Sequence, residues 1–170
     1  MKKRYRLWPL LGLVLLAGCG SPLSRDALRE ADRDAEYARV VADSQAHRGT
    51  TLVLGGRIAD NLAGREGTEL EVLKYRLGRR DRPEEPAPEE GRFIARTERL
   101  LDPSLYGPGR LVSMTATLVG RETRDLRGKP YDYPVFEIGD IHLWEAPPPP
   151  QTYPRPFFYP SLHFRYFRGW

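Results

Sequence analysis

The chain has 170 residues, with 27 basic against 23 acidic side chains and a single cysteine. Four of the bases, Lys2, Lys3, Arg4 and Arg6, and none of the acids lie before residue 19, so from residue 19 onward 23 bases balance 23 acids. That balance removes the global positive field on which nucleic-acid binding depends, leaving only a local basic patch open, and a lone cysteine excludes an internal disulfide.

The basic start leads into LWPLLGLVLL, Leu7 to Leu16. This apolar run is about 10 residues long, half of the ~20 that a spanning helix needs. A basic region, a short apolar run and small residues in sequence describe a secretory signal peptide over 1–18. A buried core helix is disfavoured by Pro9 and Gly12, both poor in helix interiors. The run ends Leu16-Ala17-Gly18-Cys19. It resembles a bacterial lipobox, in which cleavage falls between Gly18 and Cys19 and the cysteine is lipid-modified. That resemblance implies a diacylglyceryl thioether on Cys19 and an acyl group on its amino terminus. Each buried CH₂ contributes about 0.8 kcal/mol, and dual acylation anchors a protein stably. Gly20, rather than Asp, follows the cysteine, which favours the outer membrane under the enterobacterial sorting rule.

The mature chain then divides by composition. Residues 19–49 form a tether and a charged segment. In Asp26 to Gln45, Leu28, Ala31, Ala35, Ala38 and Val41 recur at helical spacing, which predicts one weakly amphipathic helix. Ser24 or Asp26 could cap it. Its narrow apolar stripe suggests a solvated spacer more than a partner-binding helix.

From Thr50 the pattern becomes that of strands, bounding a domain at 50–146. Thr51 to Ala59 carries paired glycines where a bulge or close backbone contact is expected. Asn61 to Gly67 reads as a turn region. Thr68 to Leu77 alternates well, with a slip at Leu73. Asp81 to Glu90, DRPEEPAPEE, reads as a loop that cannot bury itself. Arg92 to Arg99 and Arg110 to Arg121 follow as strands. In the latter, Val112, Met114, Ala116 and Leu118 share the more apolar face, opposite Leu111, Ser113, Thr115, Thr117 and Val119. Gly128 falls in a hairpin, and Val135 to Trp144 is the last strand. Five short strands predict an all-β fold, a small five-stranded OB-like barrel, with a sandwich as the alternative.

Pro147 to Pro150 stop regular structure and extend the chain as polyproline II. The tail, 147–170, carries Phe157, Phe158, Tyr159, Phe164, Tyr166, Phe167 and Trp170, with three arginines interleaved. Three roles compete for it: covering the barrel, lying at the bilayer interface, or docking a partner protein.

The ordered motifs carry a resemblance. Gly55-Gly56-Arg57-Ile58, Gly91 to Arg96, Leu101-Asp102-Pro103 with Tyr106, Gly109 to Val112, Pro130 to Val135 and His142-Leu143-Trp144 are similar to those of the Slp-type outer-membrane lipoproteins. The likeness runs from about Cys19 to Trp144. It departs at Leu54, where the family often has an aromatic, and at Arg99-Leu100, where it has Gly-Phe. It implies an outer-membrane lipoprotein of starvation or stationary phase, and it brings no catalytic residues. The matched Tyr131, Tyr133 and Trp144 are expected to pack in the barrel rather than form a ligand platform.

No enzyme pattern is present. His47, His142 and His163 are scattered, without metal-site spacing. Glu84, Glu85, Glu89 and Glu90 sit in the loop, where no positioned acid–base work is expected. The expectation is a non-enzymatic lipoprotein of the cell outer membrane, facing the periplasm. Its role would be binding or scaffolding in envelope maintenance or stress adaptation. The membrane, through Cys19, is its first partner, with an envelope protein or a glycan as a further one, no nucleic acid, and no cofactor beyond the lipid. The alternative is an OB-type periplasmic module that binds an oligosaccharide or cell-wall glycan, which an exposed aromatic strip would favour.

Overall fold

The computed structural model describes residues 20–85 and 90–145. Its strands are β1 (Thr51–Gly64), β2 (Gly67–Lys74), β3 (Arg92–Thr97), β4 (Leu111–Leu126) and β5 (Lys129–Leu143). They form one closed barrel in the order β1-β2-β3-β5-β4, antiparallel throughout except for β3 and β5. The expected all-β fold and strand count hold. Alternate residues point inward, as the two-residue period requires. Leu70 and Val72 of β2, Phe93 and Ala95 of β3, and Val112 to Leu118 of β4 in alternation meet in one apolar cluster. Phe93 and Phe136 pack edge to face at 5.7 Å. Each side chain removed fully from water there contributes about 1.5–3 kcal/mol.

Both barrel ends are stoppered. At the lower end, where β1 begins and β2 finishes, Val40 is 1% exposed and joins the core, while Tyr37 stacks on Phe136 at 6.3 Å. At the upper end, where β1 turns into β2, Leu101 enters the same cluster. Its N–H donates to Thr68 Oγ1 at 2.8 Å.

The lower stopper corrects the reading of the charged segment as one solvated helix. Two short helices replace it, α1 (Arg25–Glu30) and α2 (Tyr37–Ala42). Ser24 does cap α1, accepting from the Ala27 N–H at 3.3 Å. The break follows from Asp32, whose Oδ1 accepts from the N–H groups of Asp34 and Ala35, each at 3.0 Å. Such side-chain bonds compete with helix propagation. The Asp32 N–H instead donates to Thr51 O at the head of β1. Tertiary contacts, rather than propensity, thus decide this segment.

The glycine pair does mark a close contact. A Cβ on Gly56 would lie 1.8 Å from the Leu73 carbonyl oxygen. The register jump falls between Ile58 and Asp60, not at Leu73. The turn expected from Asn61 is shorter, because β1 continues to Gly64 and reverses through Arg65 and Glu66.

The acidic loop also differs from expectation in its described parts. Pro83 is buried, Glu85 pairs with Arg57, and Arg33 bonds both oxygens of Asp81. Ser113 Oγ donates to the Asp81 carbonyl. This covering explains why β4 buries its polar face as well: Ser113 is 0% and Thr115 1% exposed.

Beyond the barrel, β4 and β5 continue as a long hairpin. From Arg121 to Leu126 and Lys129 to Pro134 they pair with each other alone. Arg127 and Gly128 turn it, both at positive φ, the conformation of a tight two-residue hairpin loop. A register shift between Leu118 and Gly120 supplies the bulge that lets this arm bend.

Candidate functional site

Three features surround the closed core. The first is the segment that follows the lipobox. Leu23 is 4% exposed, and the Ser24 N–H donates to Asp140 Oδ2 at 2.8 Å. That bond holds the Asp140 carboxyl below the usual carboxylate range. The chain is therefore fastened to β5 within five residues of Cys19. Gly18 and Cys19, and the tail aromatics Phe157, Phe158, Tyr159, Phe164, Tyr166, Phe167 and Trp170, lie outside the described residues.

The second feature is a charge cluster under the β4–β5 arm. Alternation on β2 points Glu69 and Glu71 outward, and on β3 Arg92 and Arg96. Arg124 on the arm bonds Glu69 through two nitrogens, one at 2.9 Å, and reaches Glu122 at 2.8 Å. Arg96 bridges the same acids, at 2.9 Å to Glu69 and 2.7 Å to Glu122. Hydrogen bonding from Arg124 is the main force that lowers the pKa of both Glu69 and Glu122. Beside it, Arg92 pairs with Glu71 at 2.6 Å, and Tyr133 Oη donates to Glu71 at 3.2 Å. Tyr131 Oη accepts from the Arg92 N–H. Ile94, Tyr133 and Val135 form a second small apolar cluster there. A cleft of about 800 Å³ opens beside it, between the β1–β2 turn and β3.

The third feature is a cleft of about 700 Å³ at the lower end, between α2 and the barrel. Lys74 is nearly buried in it. Its Nζ donates to Tyr75 O at 2.8 Å and to Glu90 at 2.9 Å and sits 5.1 Å from the Tyr37 ring centre. Burial raises the Tyr37 phenol well above its ordinary value, so it stays neutral.

Chemically, these groups satisfy one another. Glu69 and Glu122 are held ionised by arginines, the reverse of what a general acid needs. Among the described residues no three His, Cys, Asp or Glu come together as a metal site. His142 packs edge-on against Trp144 at 4.7 Å. The Trp144 indole N–H donates to Ser113 Oγ at 2.8 Å. Tyr133 is buried and Tyr131 packs against it at 4.7 Å. Tyr131 and Tyr133 thus pack under the arm, in a cluster separate from the barrel core, and Trp144 bonds to the covered face of β4. The charge cluster was missed in sequence. Its one trace was the outward register of acids on β2 and bases on β3. Nothing in the order of residues said that the arm would close over them.

The small closed barrel defines the described residues as an all-β domain. The model of the outer membrane lipoprotein Slp family matches residues 16–170, and the chain belongs to that family. It is 25% identical over 131 residues to Outer membrane protein Slp of Escherichia coli (strain K12), covering 76% of this chain and 69% of that protein. The family places it at the cell outer membrane. No solved structure matches the chain, and no helix among the described residues is long and apolar enough to cross a membrane.

Proposed function

We propose that this outer-membrane lipoprotein acts without catalysis, by binding or scaffolding in envelope maintenance or stress adaptation. In this reading Cys19 carries the lipid and the barrel stands on the periplasmic side. The observation that carries it is the stoppered barrel. With Val40 at one end and Leu101 at the other joined to a continuous core, the outer surface is what a partner meets. The interlocked charges of Glu69, Arg96, Glu122 and Arg124 support a stable surface rather than a reacting centre.

The glycan reading would draw on an exposed aromatic platform, since stacking is how such surfaces hold flat ligands. Every described Phe, Tyr and Trp is instead buried or half-buried. This favours scaffolding over glycan capture.

The test is genetic. Cells lacking the protein should admit a bulky dye across the outer membrane more readily in stationary phase. The wild-type gene should restore the barrier, and Cys19→Ser should not. Equal dye entry in all three strains would overturn the proposal.

A further inference from the structure

Three large apolar side chains stand exposed among the described residues: Leu62 at 57%, Leu100 at 71% and Leu105 at 53%. They come from the β1–β2 hairpin and from the loop between β3 and β4. One amide ties them together. Asn61 Nδ2 donates to Leu101 O at 3.2 Å and to Tyr106 O at 3.0 Å. Each exposed leucine is the chain neighbour of one of these three residues. All three exposed leucines therefore lie at the upper end of the barrel, Leu62 on the outer face it shares with its partner Glu69 and Leu100 and Leu105 on the loop that the Asn61 amide ties down.

The mature amino terminus is fastened to β5 at the point that a side chain from the β3–β4 loop also reaches. Arg99, beside Leu100, donates to Gly139 O at 3.4 Å. The next residue, Asp140, holds the Ser24 N–H. From Ser24 back to Cys19 is five residues, at most about 18 Å of extended chain. The barrel is thus held on a very short leash.

We propose that this upper end is a membrane-contact face: Leu62, Leu100 and Leu105 rest in the headgroup region of the leaflet that holds the Cys19 lipid. The proposal rests on the reading of Cys19 as acylated. Three leucines alone would bind a bilayer weakly. A lipid anchor converts their contact into an intramolecular one, so a weak patch suffices to set orientation. The neighbouring charges, Glu66, Glu98 and Asp102 against Arg65 and Arg99, give no net positive attraction to an anionic leaflet, so added salt does not weaken the contact. The consequence is a fixed pose, with the α2 end turned away from the membrane.

The full lipidated protein tests this in phosphatidylethanolamine–phosphatidylglycerol vesicles that carry a headgroup-level nitroxide lipid. Cys19 is the only cysteine and is blocked when acylated, so Leu105→Cys and Arg48→Cys each accept one bimane label. Arg48 is exposed at the lower end, next to Gly49, whose N–H donates to Leu118 O. The expected result is flotation with the vesicles and severalfold stronger quenching at position 105 than at 48, unchanged in high salt. Flotation with equal quenching at the two positions, or none at either, overturns the orientation alone. A label at 105 shielded from both nitroxide and aqueous iodide, and released by deleting residues 147–170, gives the patch to the tail and overturns the proposal too. Failure to float overturns the lipid reading and the membrane pose with it.

Discussion

Arg124, on the β4–β5 arm, grips Glu69 of β2 with two guanidinium nitrogens across 55 positions of sequence. The pair fastens a hairpin that has no strand partner beyond the barrel wall. Arg96 and Glu122 complete the ring of charge. Because Arg124 is 35% exposed, solvent screens the pair. Arg124→Met is expected to lower unfolding free energy by about 1 kcal/mol, with coupling to Glu69→Gln in a double-mutant cycle. Urea melts of the four proteins would read it. Additive losses would mean that the arm is held by its apolar contacts alone.

The same pair sets an acid response. Glu69 and Glu122 have pKa values lowered in the folded protein from the usual 4.5, chiefly by hydrogen bonds from Arg124. The unfolded chain therefore takes up protons first as pH falls. This part of the stability is fully present above about pH 4.5 and is lost as pH drops through the folded values. Denaturant midpoints measured from pH 6 to pH 3 should fall more steeply for wild type than for Arg124→Met. Parallel curves would contradict the assignment.

Val40 stoppers the lower barrel end. Val40→Ala removes two buried methyl groups and leaves a cavity, an expected loss of about 2 kcal/mol. Amide exchange should quicken in α2 and in the first residues of β1. A wild-type melt from this variant would show that the amino-terminal segment is not part of the cooperative unit.

Gly56 sits where no side chain fits, with the Leu73 oxygen 1.8 Å from where its Cβ would be. Backbone, not a flexible side chain, would have to yield. Gly56→Ala is expected to cost about 3 kcal/mol, whereas Gly64→Ala should stay within about 0.5 kcal/mol, since nothing lies within 4 Å of its Cβ position. Thermal melts of the two variants side by side give the comparison.

Cys19→Ser should abolish incorporation of radiolabelled palmitate and move the protein from the membrane to the soluble fraction. Continued labelling would place the lipid elsewhere.

Local chemistry made several features legible in the sequence. Period-two alternation marked the strands, because a half-buried sheet rewards it. The glycine pair announced a close backbone approach, because only a missing Cβ permits one. The order of the short motifs, with the lipobox before them, was enough to indicate the family. Other features depended on long-range partners. Asp26 to Gln45 has helical spacing, yet Asp32 breaks it by bonding the chain at Asp34 and Ala35, while its N–H joins Thr51. Ser113 and Thr115 look like a solvent face until the loop at Asp81 and the β5 residue Asp140 cover them.

By itself, then, the sequence determined the strand count and the all-β class, since each depends on residues within a few positions of one another. Tertiary structure alone decided that β4 buries both of its faces from Leu111 to Ala116 and which segments stopper the barrel. It also decided where Arg124 finds its carboxylates and that Leu62, Leu100 and Leu105 share one end. Those outcomes depend on closure of the sheet. Closure brings together residues from β1, β2 and the β3–β4 loop whose separation along the chain carries no local signal.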